Sequence, residues 1–474
     1  MRKVLLILFA AAATVPAQHP NYDDDVKPIF RRYCLGCHNG AEMRSGLNLE
    51  AYDGVMKGGS SGDAVKPGRA SGSLLYQAVA HEGDGVPRMP QGGAKIPDAA
   101  IGTIRDWIAN GVLENATGKP KGPVNSTANF TGSTLNKPSG APAFPNALAP
   151  FHPAEPRRAH PVTALATSPW APLLAVAGHE RVYLYNTDSK VLLGELPFPE
   201  GIPYVLRFSR DGSKLLVGGG KGVETGKVAL FDVKTGQRTA TIGAEFDIVL
   251  AADLSPNGKM VALGGPAKIV KVYNVGDPRP VYQIKKHMDW ITAIEFSPDG
   301  TKLATGDRSG GLFLWEAASG GIIVALAEHK DSIRALSWRG DAALLASGSE
   351  DGELVIWNAA DGFPAATAQN AHAPKPAPGT FGKPPNGVLS LQFTPDGRVV
   401  SVGRDNTVKT WSANAKVMAT SKIFDSLLLS VAASFDNKTI VVGDYLGNVT
   451  LWDGMQFSSL SSKPSAGQGQ IAAH

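Results

Sequence analysis

The sequence predicts a multidomain chain: a small all-α domain, then a linker, then a large all-β domain of repeated four-stranded units. Three observations support this prediction. Apolar residues recur with helical spacing on both sides of a cysteine motif near the N-terminus. A stretch of about 40 residues then lacks any apolar period, and beyond it an aromatic residue recurs at nearly regular intervals. The 474 residues exceed what one hydrophobic core supports, and 54 glycines with 34 prolines suit an all-β protein rich in turns.

The first 17 residues have the pattern of a signal peptide. Arg2 and Lys3 form a basic start, Val4–Ala13 is an apolar stretch too short to span a bilayer, and small residues precede an expected cleavage site after Ala17. We therefore expect a periplasmic or extracellular bacterial protein without a membrane span. The net charge of +4 includes both basic residues of this segment, and no lysine- or arginine-rich run follows, so nucleic acid is not an expected partner.

The only two cysteines of the chain lie in the motif Cys34-Leu35-Gly36-Cys37-His38. This C-x-x-C-H spacing is typical of covalent haem c attachment, in which two thiols on one helical turn add to the haem vinyl groups. The adjacent imidazole of His38 is then the proximal ligand of the iron. The same spacing occurs in half of a zinc site, but the chain has no second cysteine pair to complete one.

Helices are expected on both sides of this motif, within a domain of residues 18–115. Asp23–Asp25 precede an apolar repeat with Pro28 in its first turn, as at a helix N-terminus. This helix would place Ile29, Phe30 and Tyr33 inward. Near the end of the domain, apolar residues recur at steps of three and four before Gly111, which predicts a second amphipathic helix. Those residues are Ile101, Ile104, Trp107 and Ile108.

The iron of such a site needs a sixth ligand or an open position, and a methionine thioether is the usual distal ligand in electron-transfer sites. We favour Met89, because flanking Pro87 and Pro90 stiffen its loop and remove competing backbone donors. His81, Met56 or an open position remain alternatives. Two further candidates are disfavoured or remote: Met43 follows His38 too closely to reach the other side of the haem, and His19 lies near the N-terminus.

Residues 22–115 resemble the planctomycete-type cytochrome c domain, a haem c module of large exported bacterial proteins. The resemblance implies one covalent haem c and electron transfer, with His38 and Met89 as axial ligands. The family usually has a further proline after Met-Pro, where this chain has Gln91. The matching segments are Val26-Lys27-Pro28-Ile29-Phe30, Gly46-Leu47-Asn48-Leu49, Gly58-Gly59, Pro67-Gly68, Ser73-Leu74-Leu75, Met89-Pro90 and Ile104-Arg105-Asp106-Trp107-Ile108 with Gly111.

Residues 116–155 are rich in Pro, Gly, Ser, Asn, Thr and Ala and show no apolar period. This composition predicts an extended linker. The sequence leaves open whether the linker docks along the second domain.

Residues 156–460 contain a repeat that ends each time in an aromatic residue, and a flexible tail of residues 461–474 is expected to follow. The steps between repeats are 46, 42, 42, 42, 54 and 41 residues, which fits seven four-stranded blades of a WD-type β-propeller. The long step holds a Pro/Gly-rich insertion at residues 373–387. The seven aromatic ends are Tyr185-Asn186, Phe231-Asp232, Tyr273-Asn274, Trp315-Glu316, Trp357-Asn358, Trp411-Ser412 and Trp452-Asp453.

The later repeats resemble the WD-repeat family in a buried hydrogen-bond tetrad of histidine, hydroxyl, aspartate and tryptophan. Blade five has all four, blade six has the last three, and blade four has Ser309 at the expected aspartate position. The resemblance implies that these histidines are structural and not ligands or bases. The matching residues are His329, Ser347, Asp351 and Trp357 in blade five, Ser401, Asp405 and Trp411 in blade six, and His287, Thr305 and Trp315 in blade four.

In such folds, exposed residues just before the innermost strands often carry partner contacts, and Trp290 is the best single candidate, because exposed aromatics anchor interfaces. The predicted contact residues are Tyr204, Asp247, Asp289, Trp290 and Asp331.

These features predict an exported c-type cytochrome that transfers single electrons with a redox partner protein and whose propeller docks a protein or a glycan. An enzyme is the alternative, because quinohaemoprotein dehydrogenases and haem-d nitrite reductases also combine haem c with a propeller. Their propellers have eight blades of other repeat types. A third possibility is an exported protein-interaction scaffold. No residue is identified as catalytic.

Overall fold

The computed structural model describes residues 20–68, 70, 72–82, 85–115, 136–146, 148, 160–374 and 386–460. The predicted signal peptide and C-terminal tail, most of the linker and the centre of the insertion in blade six lie outside these residues. The chain divides into two compact units, residues 1–126 and 127–474.

The N-terminal unit is helical, as predicted. Its first helical segment begins with a π-helical turn, Tyr22–Val26, whose N-terminus is capped by the Asn21 side chain, which accepts a hydrogen bond from the backbone of Asp24. The segment continues directly into the first α-helix. The α-helices are α1 (Lys27–Tyr33), α2 (Tyr52–Lys57), α3 (Leu74–Ala80) and α4 (Asp98–Ala109), with a short 3₁₀ turn at Arg44–Gly46.

Aromatic side chains from the π-helical turn, α1 and α4 form the centre of the core of this unit. Tyr22, Phe30 and Trp107 are almost fully buried with ring centroids 6.1–6.5 Å apart. Trp107 also donates its indole N–H to the carbonyl of Leu113, and the backbone N–H of Tyr22 donates to the same carbonyl. The two ends of the unit are therefore joined by hydrogen bonds around one core.

The C-terminal unit is the predicted seven-bladed propeller. Each blade is an antiparallel sheet of four consecutive strands. The first strand of each blade contacts the first strand of the next, which places it innermost. The first four blades consist of β1–β4 (Leu165–Thr167, Leu173–Gly178, Arg181–Asn186, Leu192–Pro197), β5–β8 (Ile202–Phe208, Lys214–Lys221, Thr225–Asp232, Arg238–Glu245), β9–β12 (Ala251–Leu254, Met260–Gly264, Val270–Asn274, Pro280–Ile284) and β13–β16 (Ile291–Phe296, Lys302–Asp307, Leu312–Glu316, Ile322–Ala325). The last three consist of β17–β20 (Ile333–Trp338, Leu344–Ser349, Leu354–Asn358, Pro364–Ala368), β21–β24 (Val388–Phe393, Val399–Gly403, Val408–Trp411, Val417–Thr420) and β25–β28 (Leu428–Ala433, Ile440–Asp444, Val449–Trp452, Phe457–Ser459).

The seven repeated aromatic residues all lie at or next to the end of the third strand of a blade. In blade five, Trp357 is opposite Leu345 in the second strand and is 1% exposed. The second strands are buried along almost their whole length, because they lie between two other strands and between two neighbouring blades. The aromatic period that predicted the fold therefore marks the outer part of the hydrophobic core of each blade.

The ring closes between blade seven and blade one without a shared strand. The Thr167 hydroxyl donates to the carbonyl of Ala433 at 2.6 Å, and the Ser430 hydroxyl donates to the carbonyl of Val162 at 3.2 Å. The backbone N–H of Val162 donates to the carbonyl of Asp444 at 3.0 Å. Packing and these bonds hold the seam.

Part of the predicted linker packs on the propeller. The Asn136 side chain donates to the carbonyl of Pro298 in blade four, and the ammonium of Lys137 lies 5.8 Å from the ring centroid of Trp170 in blade one. The backbone N–H of Asn146 donates to the carbonyl of Lys234 in blade two. Residues 136–146 thus form part of the propeller unit.

None of the helices within the described ranges is both long and apolar enough to cross a membrane.

Candidate haem site

The cysteine motif forms one turn that continues from the end of α1. The backbone N–H of Cys34 donates to the carbonyl of Phe30 at 2.8 Å. The N–H groups of Cys37 and His38 both donate to the carbonyl of Cys34, at 3.2 and 3.1 Å. This is the single turn that the C-x-x-C-H spacing predicts, and it holds the two thiol-bearing residues and the histidine on one rigid piece of backbone.

The backbone of His38 is held on both sides, because its carbonyl also accepts a hydrogen bond from Leu49 at 2.8 Å. Its side chain has a different environment. Nδ1 of His38 is buried and has no hydrogen-bond partner among the described residues. A buried nitrogen without a partner is uncommon in proteins, and the ring nitrogens of a neutral imidazole are common metal ligands. The histidine therefore fits the role of an iron ligand.

The two cysteines are free thiols in a half-buried position. Cys34 packs against the hydrophobic core of the helical unit, and burial raises the pKa of its thiol to about 11. A thiol with this pKa stays protonated at neutral pH, unlike the thiolate of a reactive cysteine. Two free thiols and an unpartnered imidazole on one turn, with no second cysteine pair in the sequence, fit covalent attachment of haem c.

Met89 packs, half-buried, against the same hydrophobic core as Cys34. Its backbone N–H donates to the carbonyl of Ala78 at 2.9 Å. Its carbonyl lies 3.0 Å from Nε2 of His81. The last turn of α3 and the residue that follows it therefore fix the backbone of Met89.

The other candidates for the distal position differ in their surroundings. Nε2 of His81 is occupied by the carbonyl of Met89. Met43 is 47% exposed at a left-handed backbone position, whereas Met56 in α2 packs against the same core as Met89. His19 lies outside the described residues. Met89 stays our prediction for the distal ligand, with Met56 as the alternative that contacts the same core.

The predicted tetrad of blade five is confirmed. Nδ1 of His329 lies 2.9 Å from the Asp351 carboxylate, and Nε2 lies 2.7 Å from the Ser347 hydroxyl. The indole N–H of Trp357 donates to the same hydroxyl at 2.7 Å. Within the described ranges, one group of histidine and carboxylates is close enough for a metal ion, and it comprises His329, Asp351 and Glu353. Because its histidine and aspartate already bond to each other, we interpret this group as structural.

Two tetrad assignments differ from the prediction. In blade four the acid is Asp307, not the residue at position 309: Asp307 lies 2.8 Å from Nδ1 of His287, and Ser309 donates its hydroxyl to the same carboxylate. Blade six has a histidine that the sequence did not reveal, His372, whose ring contacts both Asp405 and Ser401 at 2.7 Å. It lies 29 residues before Ser401, whereas the blade-five histidine precedes its serine by 18, because the insertion separates them. The only sequence signal for this tetrad member was the presence of a histidine directly before the insertion.

The innermost strands line a central cavity of about 430 Å³, and two buried acids of this cavity join adjacent blades. Asp253 accepts a hydrogen bond from the backbone of Phe296 at 2.8 Å, and Glu295 accepts one from Trp338 at 3.4 Å. Burial raises the pKa of Asp253 to about 6. Arg210 lies 2.8 Å from Glu295 and compensates its charge. These acids connect the blades.

Four of the five predicted contact residues lie in the loops that lead into innermost strands. Asp247, Asp289 and Asp331 each accept a hydrogen bond from the backbone N–H of the next residue, at 2.7–2.8 Å, so each also shapes its loop. Trp290 is 39% exposed, and the guanidinium of Arg308 lies 5.1 Å from its ring centroid. The position of Tyr204 differs from the prediction, because it lies inside β5, half-buried against the core.

Comparisons with known families agree with this geometry. The family described as planctomycete cytochrome C matches residues 34–92, from the first cysteine of the motif to beyond Met89. The family described as WD domain, G-beta repeat matches residues 278–316, 320–358 and 378–412, which end at or directly after the third strands of blades four, five and six. Those are the three blades with a tetrad. No curated protein matches the chain significantly.

Fold and motif together define a helical cytochrome c-like domain followed by a repeat propeller. The chain therefore joins a helical domain that matches the planctomycete cytochrome C family over residues 34–92 to a seven-bladed β-propeller whose blades four, five and six match the WD-repeat family.

Proposed function

We propose that this protein is an exported c-type cytochrome that holds one covalent haem c, transfers single electrons, and uses its propeller to dock a partner. The observation that carries the proposal is the Cys34–His38 turn. It presents two free thiols and an unpartnered buried imidazole nitrogen beside the core against which Met89 packs. The match to the cytochrome family over residues 34–92 supports the same conclusion.

Each residue has a distinct part in this proposal. Cys34 and Cys37 anchor the haem, and His38 and Met89 hold its iron. The bound haem supplies a reversible one-electron couple, and a methionine ligand raises its reduction potential. Because the backbones of His38 and Met89 are both fixed by hydrogen bonds, little rearrangement of the protein would accompany a change of oxidation state.

Optical spectroscopy of the chain, produced with cytochrome c maturation machinery, tests the haem assignment. We expect sharp haem c bands on reduction and a weak far-red band in the ferric protein, which Met89→Ala removes. Met56→Ala is the matched control and should keep the far-red band. Absence of covalent haem would refute the proposal, and loss of the band in Met56→Ala alone would move the distal ligand to Met56.

The docking surface is proposed to lie on the loops before β9 and β13. Phe246 is 74%, Met288 78% and Trp290 39% exposed. Exposed apolar side chains grouped on neighbouring loops are typical of interaction sites. Lys285 and Lys286 are exposed on the same loop as Met288, so a partner with acidic groups around an apolar contact is favoured.

Co-purification from the periplasmic extract of the source cells tests this surface. We expect the double variant Met288→Ser and Trp290→Ala to lose the proteins retained by the wild type. Ile322→Ser is the matched control, because Ile322 is 54% exposed on the outer strand β16. Identical sets of retained proteins for wild type, control and double variant would contradict the assignment.

A further inference from the structure

We propose that His81 is a positioning residue that holds Met89 at the haem iron. This inference rests on the proposed function and deepens it, because it assigns a role to a residue that anchors haem by neither a covalent bond nor an axial bond. His81 was one of the alternative distal ligands, and it is now assigned the role of holding Met89, the favoured ligand, in place.

His81 occupies an unusual backbone position at the end of α3. Its φ and ψ are 63° and 34°, in the left-handed region, and its N–H donates to the carbonyl of Gln77. Helices commonly end with one residue in this conformation, and that residue is usually glycine or asparagine because of the steric cost for larger side chains. A histidine here accepts that cost and gains an imidazole at the helix end.

The imidazole uses this position to reach the carbonyl of Met89, with Nε2 at 3.0 Å. A carbonyl oxygen only accepts hydrogen bonds, so Nε2 of His81 carries the proton and donates it. The same nitrogen is then unavailable to iron. The geometry therefore favours His81 as a support and disfavours its Nε2 as a ligand.

The bond completes a clamp on Met89. The N–H of Met89 donates to the carbonyl of Ala78, which the end of α3 leaves free, and the Met89 carbonyl accepts from His81. His38 is clamped in a similar way, since its N–H and its carbonyl are bonded to Cys34 and Leu49. The difference is that a side chain supplies one half of the Met89 clamp, so a substitution can remove it.

A fixed backbone lowers the entropy lost when the thioether binds iron, because fewer conformations of the loop compete with the bound one. Without the bond from His81, Met89 would still be present but would leave the iron more often. An added ligand would then displace Met89 more readily, and the reduction potential would fall as methionine ligation weakens.

The test uses the haem-loaded full chain with three substitutions of His81. His81→Gly removes the imidazole and tolerates the left-handed backbone. His81→Gln retains an N–H donor of similar reach, and His81→Asn is a second variant that tolerates the left-handed region. Glu82→Ala changes an exposed neighbour in the same loop and is the control. The readouts are the far-red band, the midpoint potential and the dissociation constant of imidazole for the ferric protein.

We expect His81→Gly to weaken the far-red band, to lower the potential, and to tighten imidazole binding by about five- to ten-fold, as the loss of one hydrogen bond predicts. His81→Gln should restore most of each change, and Glu82→Ala should match the wild type. Haem yield and the α-helical circular dichroism should be the same in all variants and the wild type. If His81→Gly changes either of them, His81→Asn replaces it as the variant without the imidazole.

Three outcomes would overturn the inference. Imidazole affinity and far-red band in His81→Gly could equal those of the wild type, which would leave His81 with a purely structural role. A wild-type band that survives Met89→Ala would mean that Met89 is not the ligand. If His81→Gly converts a low-spin ferric spectrum to high spin and Met89→Ala leaves it low-spin, His81 is the distal ligand. Only failure of covalent haem attachment in the wild type would refute the proposed function itself.

Discussion

A serine hydroxyl at the centre of the blade-five tetrad satisfies two buried partners at once. Ser347 is fully buried, accepts the indole N–H of Trp357 and contacts Nε2 of His329. Since that hydroxyl accepts from the indole, its own proton is free to go to Nε2, which leaves Nδ1–H of the histidine to donate to Asp351. The direction of every bond in the network follows from this one residue.

Ser347→Ala is therefore expected to destabilise the propeller by about 2–4 kcal/mol, because it leaves two buried groups without partners. Denaturant unfolding followed by tryptophan fluorescence measures this loss. The matched control is Ser319→Ala, whose hydroxyl bonds to Glu316 on the surface and whose loss should cost much less. Equal unfolding midpoints for the two variants would contradict the interpretation of the tetrad.

The histidine of blade six predicts a pH dependence. Burial lowers the pKa of His372, and the cation of Lys409 adds to this effect, against the opposing influence of Asp405. The unfolded chain therefore binds a proton on His372 at a higher pH than the folded chain does. It follows that the contribution of His372 to stability is present at neutral pH and is lost as pH falls below about 6.5.

We expect the melting temperature to fall between pH 7 and pH 5, and to fall less steeply in His372→Gln, which cannot titrate there. Thermal melts at half-unit pH intervals measure the slope, and His179→Gln, outside any tetrad, is the control. The same slope in wild type and His372→Gln would show that this histidine is not the source of the pH dependence.

At the residue scale, sequence reasoning succeeded where spacing is fixed by the backbone. The distance from Trp357 back to Ser347 is set by one hairpin, so the sequence reveals the pair. The acid of blade four was missed, because the pattern expects it at position 309, in the turn, whereas Asp307 at the strand end contacts the histidine. The clamp on Met89 was not predictable, since it depends on a left-handed backbone at His81.

Among the elements, the seam between the last and the first blade lacks the support of a shared strand. Gly443 in β26 lies against Val162 so closely that an added Cβ would lie 2.6 Å from Cβ of that valine. Atoms this close must move apart, and the neighbouring bonds of Val162 to Asp444 and of Ser430 to Val162 restrict that movement.

Gly443→Ala should therefore destabilise the propeller by about 1–3 kcal/mol through overpacking. Gly222→Ala is the matched control, because its nearest neighbour is an Asp247 oxygen at 3.9 Å and its backbone is unstrained. Chemical denaturation of both variants measures the difference. Equal unfolding free energies for Gly443→Ala and Gly222→Ala would show that the seam accommodates the methyl group. The packing between blades seven and one would then be looser than the structure indicates.

Strand number and order followed from the sequence because each aromatic residue ends the third strand of a blade. Strand bounds did not, as Tyr204 shows. It was expected in a loop, yet β5 begins two residues earlier, and the strand continues through a bulge between Pro203 and Val205. Loop and strand residues have the same apolar alternation here, so the start of pairing depends on the partner strand.

At the scale of the whole molecule, the described hydrophobic clusters separate completely. One cluster contains only residues between Tyr22 and Val112, and all others contain only residues from Ala143 onwards. Each unit therefore has its own core, and each is expected to unfold cooperatively by itself.

Calorimetry of the haem-loaded chain should accordingly show two transitions, one of which is also visible as a change in haem absorbance. A ligand that binds only the folded state of one unit stabilises that unit, and a covalent group also restricts its unfolded chain. Replacing Cys34 and Cys37 with alanine should therefore lower or abolish the haem-linked transition and leave the propeller transition at the same temperature. A shift of the propeller transition in this variant would show that the two units stabilise each other, so that haem attachment controls the stability of the docking domain as well.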